Sequence, residues 1–415
     1  MSMFEPKRIF QFFLLIFAGA GLFLFFSTDN KISIDNLANL DLGALLPMET
    51  KNKVKDIELQ KPLRESLPAG MQAPQAIKAV YSTAWSASSE KKINYFIKLI
   101  KDTELNAIVI DIKDYSGNLS YDTDVKLAEK YGAEKELKIL KPNELIKKFH
   151  DAGIYVIARQ TVFQDPILAL ARPDLALTSS STGKQWTDNK KVMWMDSASK
   201  EVWDYNIEIA KDILARGFDE VNFDYIRFAS DGNMDDIKYP VWDGKTYKRT
   251  VMKNFFKYVR QALPDAKLSA DMFGLVTLNY GDVGIGQNLD DALNYFDAIA
   301  PMVYPSHYQK GFNGFQNPAD YPYEVVYKSM LEANKRLNIY KSKAQNSTST
   351  EIYLVKNPQI RPWLQDFDLG ATYDAAKVRA QIDATYASAT GTPVGWMLWD
   401  PSNSYTATAL QEDNN

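Results

Sequence analysis

The chain of 415 residues contains no cysteine and only two histidines, His150 and His307. The first absence removes disulfides, thiolate nucleophiles and cysteine metal sites. The second argues against a histidine-rich zinc or iron centre and takes away most Ser-His-Asp arrangements. No metal and no cofactor is expected. There is no sustained basic block and the net charge is −4, so nucleic acid is not an expected partner. Gly281, Gly284 and Gly286 form a Gly-rich loop, but no strand-loop-helix phosphate signature surrounds them, which leaves nucleotide binding a weak reading. Acid/base chemistry must therefore come from carboxylates. With 52 acidic residues, position has to select among them.

Long apolar runs are scarce, with one exception near the start. Ile9 to Phe26, IFQFFLLIFAGAGLFLFF, is apolar except for Gln11 and follows Lys7 and Arg8. Its length approaches the roughly 20 residues that span a bilayer, and the basic flank would hold the start in the cytoplasm. A cleavable signal has a shorter apolar run and a small-residue cleavage site, whereas this chain continues Ser27, Thr28, Asp29, Asn30. The expectation is an uncleaved single-pass anchor in the cell membrane (residues 1–30) with the remainder extracytoplasmic. Secretion after signal cleavage is the alternative. Residues 31–75, with Pro47, Pro62, Pro68 and Pro74, read as a linker, or else as an extra structured layer.

From Ala76 to the end, apolar strands alternate with amphipathic helices, the pattern of βα units around a parallel sheet. Strands are expected at Ala79 to Thr83, Ala107 to Ile112, Tyr155 to Ala158, Glu220 to Phe223, Lys267 to Ala270, Ala298 to Val303, within Glu351 to Trp363, and at Val394 to Leu398. The intervening helices include one in which Ile93, Phe96, Ile97 and Ile100 recur at helical spacing, and others at Asn143 to Ala152, Glu201 to Arg216, Val251 to Leu263, Leu289 to Phe296, Val325 to Leu337 and Ala375 to Ala387. Eight such units point to a (β/α)8 TIM barrel over residues 76–415.

Such barrels take their catalytic residues from the carboxyl ends of several strands. Those ends supply Trp85, Asp111, Lys113, Arg159, Asp224, Tyr225, Arg227, Asp271, Tyr304, His307, Trp363, Gln365, Trp399 and Asp400. In GFDEVNFDYIRF (217–228) Asp224 and Arg227 close a strand that should be apolar, so they need partners or a solvated cavity. They could simply pair with each other. A list rich in aromatic and carboxyl groups suits a carbohydrate, whose rings offer apolar faces and hydroxyls, and glycoside cleavage needs two carboxyls in one cleft. Asp224 and Asp271 end adjacent expected strands. Lys113 and Arg227 are expected to hold carboxylates ionised or to bind hydroxyls. The acid should be the carboxyl with fewer cationic neighbours. His307 could equally be a loop hydrogen-bonder, His150 a helix-terminal residue, and the tryptophans core residues.

The segments VYSTAW, IVIDIKD, GFDEVNFDYIRF, SADMFGL, IAPMVYPSHY and GWMLWDPSN, spread from about Ile77 to Asn403, together resemble a bacterial glycoside hydrolase domain family of TIM barrels related to amylase-like and chitinase-like glycosidases. The resemblance implies a barrel acting on an extracytoplasmic or cell-envelope polysaccharide. The chitinase motif D-G-x-D-x-D-x-E, laid over Asp219 to Ile226, places Asn222 at its middle aspartate and Ile226 at its catalytic glutamate, so chitinase chemistry is not implied. Resemblance to amylase-like and galactosidase-like barrels implies Asp224 as nucleophile. Asp271 is then the general acid/base candidate, with Asp400 and Asp111 as rivals. A barrel that binds glycan without cleaving it is the alternative function.

Overall fold

The computed structural model describes residues 72–347, 354–389 and 394–412. The expected span Ile9 to Phe26 and nearly all of the expected linker lie outside the described residues. Among the described residues no helix is long and apolar enough to cross a membrane.

Branched and aromatic side chains dominate the strands: β1 Lys78–Ser82, β2 Ala107–Lys113, β3 Tyr155–Thr161, β4 Glu220–Asp224, β5 Leu268–Phe273, β6 Ala298–Met302, β7 Gln359–Ile360, β8 Trp363–Gln365 and β9 Trp396–Trp399. Every residue of β2, AIVIDIK, is buried, as expected of a parallel strand covered on both faces. All pairings between these strands are parallel: β1 to β6 neighbour one another in chain order, β6 pairs with both β7 and β8, and β9 closes the ring between β8 and β1. The seventh stave is thus two short pieces rather than the single strand expected. Pro362, which has no N–H to give a ladder, sits at the break.

The helices cover the outside. They are α1 Ala84–Ala87, α2 Glu90–Lys101, α3 Lys126–Tyr131, α4 Pro142–Asp151, α5 Pro166–Ala171, α6 Lys200–Ala215, α7 Lys248–Ala262, α8 Leu289–Ala292, α9 Pro322–Asn346 and α10 Ala375–Ser388. Ser199 caps α6 by accepting from the Val202 N–H, and Asp165 caps α5 through the Leu168 N–H. Two expected helices differ in length: α8 stops after Ala292, and α9 extends well beyond Leu337.

Alternation along the strands separates two cores. Val80, Ile108, Val156, Val221 and Phe223 pack outward among the helices. Ala79, Tyr81, Val109, Ile157, Ala300, Trp363 and Met397 pack inward. Midway down the interior, Arg361 pairs with Glu220 through Nη2 and Oε1, and the Ser269 hydroxyl donates to the same carboxylate at 2.5 Å. A buried pair of this kind is tolerable only when its hydrogen bonds are met. It forms the floor beneath the carboxyl end of the barrel.

Candidate active site

Register brings the chemistry to one level. Asp111 lies opposite Arg159, and Arg159 opposite Asn222. Phe223 opposite Ala270 places Asp224 beside Asp271, one strand spacing of about 4.8 Å away. The Arg159 guanidinium binds all three aspartates: Nη1 donates to Asp111 Oδ1 at 2.6 Å, Nη2 to Asp224 Oδ2, and Nε lies 3.4 Å from Asp271 Oδ2. The Tyr81 hydroxyl donates to Asp111 Oδ2 at 2.5 Å. Asp224 Oδ1 accepts from the Tyr225 N–H at 2.5 Å. That contact accompanies a φ of +53° at Tyr225, a left-handed conformation uncommon for a bulky residue. Such strain collects at functional sites.

Three buried carboxylates share one cation, and their environments differ. Burial and then the Asp224 charge push the Asp271 pKa up to about 7, against the opposing pull of Arg159 and of hydrogen bonds from Asn222 and Trp363. Burial also raises Asp111, opposed by Arg159 and Tyr81. Burial would lower the Arg159 pKa, but Asp111 and Asp224 outweigh it and hold the guanidinium firmly charged. Asp271 makes the longest of the three contacts to that cation, so it is the carboxyl best placed to keep a proton near neutral pH.

An aromatic cluster adjoins the carboxylates, two of its members, Tyr81 and Trp363, bonding to them directly. Tyr304 stacks on Trp399 at 5.5 Å, Phe367 meets Trp399 edge-on at 5.3 Å, and Tyr81 contacts Trp363 and Trp399 at 6.4 and 6.0 Å. His307 closes the group 5.2 Å from Tyr304, its pKa lowered to about 4 chiefly by burial, which keeps the imidazole neutral at pH 7.

Of the residues expected at the site, Asp111, Arg159, Asp224, Asp271, Tyr304, His307, Trp363 and Trp399 come together here. Others do not. A register shift between Asp111 and Lys113 turns Lys113 away, into a buried ion pair with Asp165 at 2.6 Å and a hydrogen bond to Asn206 on α6. Lys113 is fully buried and does not hold the rim carboxylates. Strand β4 ends at Asp224, so Arg227 lies beyond it. Its guanidinium packs against Trp194, Phe273 and Tyr225 at 4.7, 4.8 and 5.3 Å and donates to Phe228 O and Ser230 Oγ, rather than pairing with Asp224. Asp400 accepts from the Ser402 and Ser404 N–H groups and shapes its own turn. Gln365 is buried between Ser306 and the carbonyls of Phe367 and Leu369. Trp85 is 67% exposed on α1, with the Lys138 ammonium 5.2 Å from its ring centroid. His150 accompanies none of this group and meets Asp219 at 2.9 Å.

Several participants were not singled out from the sequence. Tyr81 lies in VYSTAW at the inward position two residues after Ala79, and that parity was the available signal. Asn222 donates to Asp271 Oδ1 at 3.0 Å and sits on the same strand face as Asp224. Phe367 comes from a loop, where no periodicity marks it.

A closed parallel barrel with a cluster of carboxylates and aromatic rings at its carboxyl rim is an arrangement found in glycosidases of the TIM-barrel class. The chain belongs to the family described as "Putative glycosyl hydrolase domain", whose model matches residues 79–405. It is similar to a hypothetical protein from Ruminiclostridium thermocellum ATCC 27405, at 36% identity over 46% of this chain and 96% of that one, with a TM-score of 0.42. The glycoside hydrolase domain of PgaB (BpsB) from Bordetella bronchiseptica shares the fold at 13% identity and a TM-score of 0.57, over 81% of this chain and 99% of that one. The α-galactosidase TtGalA from Thermus thermophilus matches at 12% identity and a TM-score of 0.47, over 82% of this chain and 61% of that one. No curated protein matches the sequence.

Proposed function

We propose that the chain hydrolyses O-glycosidic bonds of an extracytoplasmic polysaccharide, with Asp271 as general acid/base, Asp224 as nucleophile, and Ile9 to Phe26 holding the domain at the cell membrane. The observation that carries this reading is the contrast between two neighbouring carboxyls: Asp224 is ion-paired to Arg159 while Asp271 is pushed up to about 7. Glycoside cleavage uses a carboxyl that keeps its proton near neutral pH beside a second carboxyl in the same site.

In the first step Asp271 gives its proton to the glycosidic oxygen as the bond to the anomeric carbon breaks. The Asp224 carboxylate forms a bond to that carbon, and the leaving sugar departs as an alcohol. Asp271, now ionised, takes a proton from water, whose oxygen displaces Asp224 and restores both groups. Adjacency of β4 and β5 favours this double displacement, because retaining pairs stand about 5–5.5 Å apart and inverting pairs farther. Trp399, backed by the buried ring of Tyr304, offers a ring face to the sugar, and Asp111 with Tyr81 offers hydroxyl partners.

The test is turnover by the full-length chain on a panel of polysaccharides and aryl glycosides, compared with Asp224→Asn. Release of reducing ends by the parent and its loss in a folded variant is the expected result. Glycan binding without any turnover by the parent would favour the non-catalytic module instead.

A further inference from the structure

A cavity of about 400 Å³ opens outside the carboxylate cluster, between the segments that follow β5 and β6. That volume falls in the range of about 300–1,000 Å³ typical of small-molecule sites. Its lining comes from Leu275, Leu278, Asn279 and Tyr280 on one side and Tyr308, Gln309 and Phe312 on the other. Both segments continue strands that carry the site: Leu275 lies four residues beyond Asp271, and Tyr308 four beyond Tyr304. The cavity and the carboxylate cluster therefore share the carboxyl face of the barrel.

Close backbone approach builds this wall. A Cβ at Gly274 would stand 2.5 Å from Met302 O and 2.7 Å from the Tyr308 hydroxyl, so only glycine lets β5 turn into the groove at this point. The Tyr308 hydroxyl is fixed by Ser329 at 2.8 Å, and its ring meets Phe312 at 4.5 Å. Tyr280 is 58% exposed, yet it is held in place: Arg336 packs 4.6 Å from its ring centroid, and its hydroxyl donates to Glu332 at 3.0 Å. An exposed aromatic ring fixed at both ends is pre-organised to receive a flat apolar face.

No charged side chain lines the cavity; its polar groups are the Asn279 and Gln309 amides and the tyrosine hydroxyls. Amides beside aromatic faces match the hydroxyl edges and C–H faces of a pyranose. They offer no counter-charge to a carboxylate, sulfate or ammonium group.

We infer that this groove is a distal subsite for an uncharged stretch of glycan chain, on the same barrel face as the carboxylate cluster, so that the enzyme engages the interior of a neutral polymer. The inference rests on the glycosidase reading above and adds the charge class and the extended binding mode. Tyr280 and Phe312 supply the stacking faces, and Gln309 and Asn279 the hydrogen bonds.

The test uses full-length Asp224→Asn protein in titration calorimetry with cellotetraose, maltotetraose, mannotetraose and galactotetraose, and with tetragalacturonate as the charged comparison. Tyr280→Ala, Phe312→Ala and the exposed Gln309→Ala are introduced singly, with thermal midpoints showing that each folds. At least one neutral tetrasaccharide binds, and the aromatic variants weaken it roughly five- to tenfold. In the active background the same variants lower kcat/KM on the polymer more than on a single-sugar aryl glycoside. Unchanged affinity in all three variants, preference for tetragalacturonate, or no tetrasaccharide binding at all would overturn the inference. Loss of neutral-glycan binding in the variants, with no turnover of any glycoside by the parent, would keep the subsite and remove the hydrolase reading.

Discussion

The Trp363 indole donates a 2.7 Å hydrogen bond to Asp271 Oδ1, tying β8 to β5 across the mouth of the barrel. Because Oδ1 also accepts from Asn222, the proton of a neutral Asp271 sits on Oδ2, the oxygen nearer Arg159. The Asp271 carboxyl is thus oriented as well as tuned. Its orientation depends on a tryptophan that need not touch substrate.

With Asp271 near 7, kcat/KM should fall about tenfold per pH unit on the alkaline side of that value. Asp271→Asn should abolish this limb while sparing aryl glycosides with good leaving groups, as read from pH–rate profiles. Stability follows the same group. A folded pKa raised above the unfolded value of about 3.9 means that the native state binds more protons between the two. Stability therefore declines as pH rises from about 4 to about 7, and the variant's denaturation profile should be flatter across that window.

Asp224→Asn should lower turnover by more than about a thousandfold, because it removes the charge facing the oxocarbenium-like transition state and the attacking oxygen. It also removes the neighbouring charge that, after burial, does most to raise Asp271. Carbon-13 NMR of labelled aspartate should then show Asp271 titrating at lower pH. For the parent, proton NMR of the first product should show retained anomeric configuration.

Arg159→Met would leave Asp111, Asp224 and Asp271 without the cation that they share. Exposing buried carboxylates to one another should cost about 3–5 kcal/mol at neutral pH. Their folded pKa values would rise, so the deficit should shrink as pH falls toward 4, where protons replace the guanidinium. Urea titrations at pH 7 and pH 5 measure the difference. Arg159→Lys should not rescue it, since one ammonium cannot reproduce three separate N–H contacts.

Arg361→Met should likewise destabilise by about 3–5 kcal/mol, because Glu220 would stay buried and without its cation beneath the carboxylate cluster. Adding Glu220→Gln should recover part of that loss in chemical denaturation. A deficit as large in the double variant as in the single one would show that the pair contributes packing rather than charge balance.

Most of the barrel was legible from periodicity, because the expected strands other than the seventh each combine a largely apolar run with a polar or aromatic residue at or just beyond its end. The seventh stave was not resolved into pieces, since Pro362 breaks it within one apolar run. Strand ends also identified Asp111, Arg159, Asp224 and Asp271 as a group. Sequence spacing could not reveal which cation they share. Lys113 has the right spacing, but the register shift beside it sends its side chain outward. Arg227 was assigned to the strand, whereas the positive φ at Tyr225 turns the chain before it arrives. Tyr81 and Asn222 were hidden for a different reason: a tyrosine and an asparagine facing a barrel interior look like packing until the neighbouring strands are placed.

The rim is divided by chain order: Asp111, Arg159, Asp224 and Asp271 come from β2 to β5, while Tyr304, Trp363 and Trp399 come from β6, β8 and β9. The carboxylates and most of the aromatic cluster therefore come from different halves of the polypeptide, joined by the Trp363 indole and by Tyr81, which reaches across from β1. A chimera that keeps residues through β5 and takes its second half from a relative would inherit its reaction from one parent and its sugar preference from the other. Such an exchange would have to retain the tryptophan, because the indole of Trp363 fixes the Asp271 carboxyl.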